Sequence, residues 1–243
     1  MSPTYDTIGK GYATKRRPDP RIGAIIDGAL GSARRVVNVG AGTGSYEPAD
    51  REVTAVEPSA EMIGQRPPGA APAIRGYAEN LPFEDDAFDA AMSVLSLHHW
   101  TDKARGCAEM RRVATGPVVL LTFDPAFREA WLIDYFPEFA EQDDRRFPPM
   151  EAYEEWLGPV ETEAVPIPHD CVDGFLYAYW RRPEVYLEAK ARAAMSSFWA
   201  LEDASPGLAR LADDLDSGAW HARNGALLDR ETCDLGYRLV RTV

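Results

Sequence analysis

The chain has 243 residues, of which 26 are lysine or arginine and 39 are aspartate or glutamate, for a formal net charge of −13 at pH 7. This length suits one α/β domain with a substantial insertion and is short for two domains, so we expect residues 1–243 to form a single domain. The acidic balance excludes the basic footprint on which nucleic-acid binding depends.

Two further features bear on compartment and partners. No apolar run approaches the roughly 20 residues that a membrane span needs, and the first residues are polar, unlike a secretory signal. Cys107, Cys171 and Cys233 lie far apart and lack the spacing of a metal site. We therefore expect a cytoplasmic protein with reduced cysteines, no metal, and neither a membrane nor a nucleic acid as partner.

The N-terminal region predicts two segments. Tyr5 and Tyr12 are spaced to share one helical face within residues 5–17. Asp19 followed by Pro20 is typical of a helix N-terminus, and the apolar spacing that follows predicts a helix ending at Gly31.

From residue 35 to residue 124, apolar runs alternate with helical patterns, as in a parallel, doubly wound α/β sheet. Strands are predicted at 35–39, 52–57, 72–76, 87–94 and 118–123, and helices at 59–65 and 101–114. The ligand of such a sheet lies beyond the carboxyl ends of the strands, near the first strand.

The alternation stops after residue 124. Helical, aromatic sequence is predicted over 125–157, a strand over 160–166, a second helical stretch over 171–217, and a last strand over 235–243. Five of the six tryptophans lie in this part, which suits an aromatic lid over a ligand. Packing of the lid on the core explains these aromatic residues equally well.

The turn after the first strand contains Gly40, Gly42 and Gly44, and glycine allows a backbone to approach a ligand closely. Position 45 is serine, which departs from the Gly-x-Gly-x-x-Gly fingerprint of dinucleotide enzymes, and no Gly-Lys-Ser/Thr of a phosphate-binding loop is present. The turn therefore favours S-adenosylmethionine (SAM) over a nicotinamide dinucleotide. Glu57, before Pro58, ends the second strand, where an acid accepts hydrogen bonds from a ribose diol.

Together these motifs resemble the class I SAM-dependent methyltransferases, specifically the small-molecule subgroup often labelled type 11. The resemblance covers about residues 5–124 and departs from the family at Asn38, where an aspartate is usual. The matching segments, in order, are 40–44, Glu57, 76–83, 88–100 and 109–113.

The resemblance implies a mostly parallel seven-stranded sheet in the order 3-2-1-4-5-7-6, with strand 7 antiparallel and helical lid insertions after strands 5 and 6. Residues 19–124 would form the SAM-binding half, and residues 125–157 and 168–230 the lid and acceptor region. The implied cofactor-binding residues are Tyr5, Tyr12, Arg17, Asn38, Gly40, Ala41, Gly42, Gly44, Glu57, Pro58, Met62, Ala78, Glu79, Asn80, Val94 and Leu95. Whether Arg16 or Arg17 faces the cofactor is left open.

The implied function is methyl transfer from SAM to an oxygen, nitrogen or carbon atom of a small organic acceptor, by a monomer or homodimer. Two alternatives remain open at this point: SAM used for cyclisation or cleavage, and a non-catalytic SAM-binding protein.

For catalysis, His99 after strand 4 and His169 beside Asp170 are candidate bases, because histidine titrates near neutral pH. Asp124 at the end of strand 5 is a third candidate by position. Each histidine equally suits a structural role, in which it shapes its loop or stays exposed.

Overall fold

A computed structural model describes residues 16–243, so the predictions for Tyr5 and Tyr12 lie outside the described residues. Its main sheet contains seven strands, and a separate antiparallel pair, β7 (Ile167–Pro168) and β8 (Thr232–Cys233), lies apart from it. The strands of the main sheet are β1 (Arg35–Val39), β2 (Glu52–Glu57), β3 (Ala73–Arg75), β4 (Ala90–Val94), β5 (Val118–Phe123), β6 (Val160–Ala164) and β9 (Tyr237–Thr242).

The strand order is β3-β2-β1-β4-β5-β9-β6. The first five strands in this order run parallel to one another, and β9 runs antiparallel to both β5 and β6. Central strands such as β5 are buried along their whole length, as expected of parallel strands covered on both faces. The predicted order is therefore confirmed, with β6 and β9 as the sixth and seventh strands.

Helices cover the sheet and form much of the region between β5 and β9. Their bounds are α1 (Pro20–Leu30), α2 (Ala60–Gly64), α3 (Lys103–Val113), α4 (Leu132–Tyr135), α5 (Glu138–Arg146), α6 (Glu151–Leu157), α7 (Ala189–Arg192), α8 (Ser196–Trp199), α9 (Ser205–Asp216) and α10 (Ala219–Asn224), with 3-10 turns at Leu97–His99, Pro183–Leu187 and Gly225–Asp229. Every helix within residues 16–243 is too short or too polar to cross a bilayer.

Local sequence explains where the core helices begin. The side chain of Asp19 accepts a hydrogen bond from the backbone N–H of Arg21 at the start of α1. Ser59 caps α2 and Asp102 caps α3 in the same manner. Each cap satisfies a backbone donor that has no partner inside its helix.

The second helical stretch, predicted over 171–217, is largely wrong before residue 183. Residues 171–182 form turns rather than a helix. The indole N–H of Trp131 donates to the carbonyl oxygen of Trp180 at 2.8 Å, and the Trp180 indole donates to the carbonyl oxygen of Ile167 at 3.2 Å. The turn is thus held by tertiary hydrogen bonds, which override the local propensity for a helix.

The helices and turns between β5 and β9, which correspond to the predicted lid and are called the lid below, share an aromatic core with one face of the sheet. Trp131 and Trp220 are both buried, and their rings meet edge to face with centroids 5.3 Å apart. Phe136 and Phe139 stack at 5.3 Å and both contact Phe198. Much of the aromatic content of the lid is therefore explained by packing.

Gly207 in α9 provides a test of this lid packing. A Cβ at Gly207 would lie 2.4 Å from Phe136 Cε1 and 2.6 Å from the carbonyl oxygen of Tyr135. We expect Gly207→Ala to lower the free energy of unfolding by about 1–3 kcal/mol, because the added methyl group overpacks the interface.

The matched control is Gly28→Ala in α1, where an added Cβ meets no atom within 4 Å. This change should raise the free energy of unfolding by about 0.5–1 kcal/mol, because alanine favours helix. Urea titration of both variants measures the difference, and equal effects at the two positions would contradict the packing of α9 on the lid.

Candidate functional site

A cavity of about 290 Å³, called the larger cavity below, lies at the carboxyl ends of β1, β2 and β4. This is the edge at which doubly wound sheets bind ligands. Its lining residues are Arg16, Asn38, Gly40, Ala41, Gly42, Thr43, Ser45, Tyr46, Glu57, Pro58, Met62, Tyr77, Ala78, Glu79, Val94, Leu95, Ser96, His99, Trp100 and Thr101.

Most of the predicted cofactor residues between Asn38 and Leu95 line the larger cavity, with Gly44 and Asn80 as the two that do not. The backbone N–H of Gly44 closes the glycine turn on the carbonyl oxygen of Ala41 at 2.9 Å. The N–H of Asn80 closes a turn on the carbonyl oxygen of Tyr77. Each of these two residues thus closes a turn whose other residues line the cavity.

The sequence interpretation left Arg16 open as the alternative to Arg17, and it missed several other lining residues: Thr43, Ser45, Tyr46, Tyr77, Ser96, Trp100 and Thr101. Most of them flank residues that were predicted, so their proximity in sequence was the available signal. Ser96 and Trp100 belong together, since the Trp100 indole N–H donates to Ser96 Oγ at 3.3 Å.

The glycines of the turn serve different purposes. A Cβ at Gly40 would lie 1.8 Å from Ser96 Oγ, so glycine there permits the close approach of the β4 exit. At Gly42, where φ is +53°, the nearest atom to a Cβ would be Met62 Cε at 3.4 Å. Gly42 also lines the larger cavity, so a branched side chain there would occupy space that a ligand needs.

Glu57 holds the glycine turn in place. Its Oε2 accepts a hydrogen bond from the backbone N–H of Gly42 at 2.8 Å, and its Oε1 accepts one from the N–H of Ser59 at 2.9 Å. An ionised carboxylate is purely a hydrogen-bond acceptor, and the two hydroxyls of a ribose diol need an acceptor of this kind. The arrangement fits the ribose of SAM.

Asn38, which replaces the usual aspartate of the family, is explained by its neighbour Glu47. Asn38 Nδ2 donates to Glu47 Oε1 at 3.1 Å, and Arg66 pairs with Glu47 Oε2 at 2.6 Å. The Arg66 and Glu47 side chains are 6% and 8% exposed, so a carboxylate at position 38 would face Glu47 in a buried setting. Asn38 Oδ1 is buried with no hydrogen-bond partner in the described part of the chain, which suits a nearby ammonium donor.

Arg16 lines the larger cavity, whereas the predicted residue Arg17 is exposed. The reason is an ion pair between the Arg16 guanidinium and the buried carboxylate of Asp173, which belongs to the lid. Asp173 Oδ2 also accepts a hydrogen bond from the hydroxyl of Tyr46 at 2.9 Å. One carboxylate therefore joins the N-terminal segment, the lid and the glycine turn.

His99 lines the larger cavity beside His98, with ring centroids 3.9 Å apart. Burial lowers the pKa of His99 to about 4, and the charges of Arg146 and Lys103 add to this effect. Burial also holds the pKa of His98 well below its usual value. Both imidazoles are therefore neutral at pH 7 and weak as bases.

The other two catalytic candidates lie outside this arrangement. His169 Nε2 is 3.4 Å from the exposed Glu231 carboxylate, and His169 does not line the larger cavity. Asp124 Oδ1 accepts from the N–H of Ala126 at 3.0 Å, which makes it the cap of a turn after β5. Within residues 16–243, no cluster of side chains is arranged to hold a metal ion.

A second cavity of about 70 Å³, the smaller cavity, adjoins the larger one and shares Arg16 and Leu95 with it. Its lining residues are Arg16, Leu95, His98, Phe123, Asp143, Arg146, Phe147, Phe175, Leu176, Tyr177, Ala194, Met195, Ser196, Ser197 and Tyr237. Asp143 is only 4% exposed and accepts a hydrogen bond from the Tyr177 hydroxyl at 3.1 Å. Burial raises the pKa of Asp143 to about 7.

Known proteins resemble both the sequence and the fold. The sequence profile of a family described as "Methyltransferase domain" matches residues 37–121. The crystal structure of a putative methyltransferase from an antibiotic biosynthesis pathway of Anabaena variabilis shares 38% identity and a TM-score of 0.88. That similarity covers 94% of this chain and 99% of the other.

Two curated relatives are named as quinone methyltransferases. A chloroplastic 2-methyl-6-phytyl-1,4-hydroquinone methyltransferase of Oryza sativa is 32% identical over 65% of this chain and 47% of its own length. Demethylmenaquinone methyltransferase of Deinococcus radiodurans is 30% identical over 51% of this chain and 58% of its own length. The chain thus spans about half the length of these curated relatives.

The Asn38–Glu47 pair yields a double-mutant prediction. Asn38→Asp should destabilise the fold, because it places two carboxylates together in a buried setting. Combining it with Glu47→Gln should recover a coupling energy of about 0.5–3 kcal/mol, since one carboxylate then remains for Arg66. Urea unfolding of the single and double variants measures this coupling, and purely additive effects would show that the two side chains do not interact.

Asp143 yields a prediction for pH dependence. Burial raises its pKa from 3.8 to about 7, so the folded protein binds this proton more tightly than the unfolded chain does. The contribution to the free energy of unfolding is complete below pH 3.8 and is lost as the pH rises to about 7. Asp143→Asn should therefore be more stable than the wild type at pH 8, by up to about 4 kcal/mol, and should lose this advantage at pH 4.

The control for this prediction is Asp144→Asn, the neighbouring acid, which is 56% exposed and pairs with Arg128 at the surface. It should change stability by about 0–1 kcal/mol at either pH. Thermal unfolding at pH 4 and pH 8 compares the variants. A pH-independent effect of Asp143→Asn would mean that its carboxyl group titrates normally.

Proposed function

Because the chain belongs to the class I SAM-dependent methyltransferases, we propose that it transfers the methyl group of SAM to an oxygen, nitrogen or carbon atom of a small organic acceptor. The observation that carries this proposal is the pair of adjoining cavities at the carboxyl ends of the strands. The larger cavity suits the cofactor, and the smaller one, under the lid, suits the acceptor.

Residues of the larger cavity match the parts of SAM. Glu57 would hold the ribose diol, and Ala78 with Glu79 would border the adenine. The buried oxygen of Asn38 would accept from the ammonium group, and Arg16 would lie toward the carboxylate. When bound, SAM supplies an electrophilic methyl group on a sulfonium whose leaving group is a neutral thioether.

The protein's own contribution is mainly alignment and exclusion of water, which account for much of the catalysis of an in-line displacement. Leu95 and Arg16 line both cavities, so the two ligands would meet at this shared wall. We assign His99 to the wall of the cofactor cavity, because an imidazole with a pKa of about 4 is a weak base at neutral pH.

The names of the relatives support a small-molecule acceptor. The Anabaena protein is described by an antibiotic pathway, and the rice and Deinococcus proteins by quinone substrates. Because the match to the quinone enzymes covers about half of their length, we carry over the class of small organic acceptor and leave the particular quinone aside.

Calorimetry with SAM and S-adenosylhomocysteine tests the cofactor assignment. We expect Glu57→Ala to weaken the binding of both by about 10–100-fold, because a charged hydrogen-bond acceptor is lost. The matched control is Glu52→Ala, at the exposed opposite end of the same strand, which should bind like the wild type.

Absence of binding to the wild-type protein at millimolar concentration would reject the cofactor. The products then separate the reactions. S-adenosylhomocysteine together with a methylated acceptor supports methyl transfer, whereas methylthioadenosine would indicate that SAM is cleaved or cyclised instead.

A further inference from the structure

We propose that the smaller cavity selects an acceptor with an aromatic hydroxyl group, and that the Asp143 carboxylate accepts the hydrogen bond and then the proton of that hydroxyl. This inference rests on the proposed methyl transfer and specifies its substrate class. It also assigns the base to a residue of the lid rather than to His99 or His169.

The walls of the smaller cavity suit a flat apolar body. Phe123 at the end of β5 stacks with Tyr177 at 5.6 Å between ring centroids, and its ring meets those of Phe147 and Tyr237 at 5.5 and 5.4 Å. Phe175 also lines the cavity. Aromatic walls of this kind favour planar ligands through offset or edge-to-face contacts.

Asp143 is the acidic side chain among the residues that line the smaller cavity. The residue is 4% exposed, and within residues 16–243 its carboxylate accepts one hydrogen bond, from the Tyr177 hydroxyl to Oδ2. The carboxylate therefore keeps lone pairs available on Oδ1, while Tyr177 fixes its orientation. A buried carboxylate with unused acceptor capacity requires a donor, and a ligand hydroxyl supplies one.

Charge distinguishes a hydroxyl from an amine acceptor. Arg16 and Arg146 line the same small cavity as Asp143. Asp173 pairs with Arg16, so the charges around the cavity are close to balanced, and a protonated amine would add a positive charge beside two guanidinium groups, whereas a neutral hydroxyl adds none. An oxygen that gains negative charge during the reaction is stabilised by these guanidinium groups.

The basicity of Asp143 agrees with this role. Burial raises its pKa to about 7, against about 4 for His99, so Asp143 is much the better proton acceptor near neutral pH. A phenol resembles the tyrosine side chain, whose pKa is about 10. The difference between these two pKa values is small enough for the proton to pass to Asp143 as the new bond forms.

The proposed methyl transfer conserves atoms and electrons. A lone pair of the acceptor oxygen forms the new O–C bond to the methyl carbon, and the S–C bond breaks with its electron pair remaining on sulfur. The hydroxyl proton passes to Asp143 and from there to solvent, which leaves a methyl ether, a neutral thioether and the carboxylate restored.

The test measures binding and turnover of three simple probes in the presence of saturating S-adenosylhomocysteine or SAM. Phenol carries the hydroxyl, anisole lacks its proton, and benzylamine is a cation. We expect wild-type protein to bind phenol about tenfold or more tightly than anisole, to bind benzylamine more weakly than phenol, and to convert phenol to anisole with SAM.

Asp143→Asn should reduce the preference for phenol over anisole about tenfold and lower kcat by about 10²–10⁴-fold, with S-adenosylhomocysteine affinity unchanged. The matched control, Asp144→Asn, makes the same chemical change at the exposed neighbouring residue and should behave like the wild type. Ligand-observed NMR gives the affinities without depending on turnover.

Failure of this inference is distinguishable from failure of the proposed function. If the wild type does not bind S-adenosylhomocysteine, the methyltransferase proposal itself fails. If it does bind, the inference is overturned by any of three results: no phenol binding, equal affinity for phenol and anisole, or an unchanged preference in Asp143→Asn. Tighter binding of benzylamine than of phenol would indicate an amine site and would equally overturn it.

Discussion

The buried carboxylate of Glu57 is the contact on which the candidate site depends. It connects the end of β2 to the glycine turn after β1 by accepting from the Gly42 N–H, and it fixes the start of α2 through the Ser59 N–H. The carboxylate thereby fixes the backbone of the turn at Gly42, which lines the larger cavity. Such preorganisation reduces the ordering cost that a ligand meets on binding.

A second carboxylate, Asp173, connects the lid to this core. It pairs with Arg16 and accepts from the Tyr46 hydroxyl, so the lid segment contacts the N-terminal segment and the glycine turn at one point. Nearby, Asp19 Oδ2 accepts a hydrogen bond from the backbone N–H of Val172 at 3.2 Å. The Arg21 guanidinium donates a hydrogen bond to Asp170 Oδ1 at 2.7 Å. The lid is thus attached by polar contacts on this side, whereas its interior is held by aromatic packing.

Features set by neighbouring residues were predictable from the sequence, whereas features set by contacts between residues far apart in the chain were not. Strands β1, β2 and β5 have the predicted bounds because each is a short apolar run between clear breaks. The turn at 171–182 was not predictable, because indole hydrogen bonds from distant residues hold it. The role of Asp143 was also not predictable, because the sequence does not distinguish Asp143 from its neighbour Asp144. The packing of α5 buries Asp143 and leaves Asp144 exposed. The same applies to Arg16 and Arg17, which differ in whether they meet Asp173.

Arg16 lines both cavities, so a ligand bound in one cavity can change the affinity for a ligand in the other. A ligand that shifts the guanidinium toward its own cavity alters the wall of the other, and by thermodynamic linkage each ligand then changes the affinity of its neighbour by the same factor. A methyl donor and its demethylated product differ in charge beside this wall. Under the proposed methyl transfer, the smaller cavity therefore has a physical means of distinguishing the protein before transfer from the protein after it, through the side chain of Arg16.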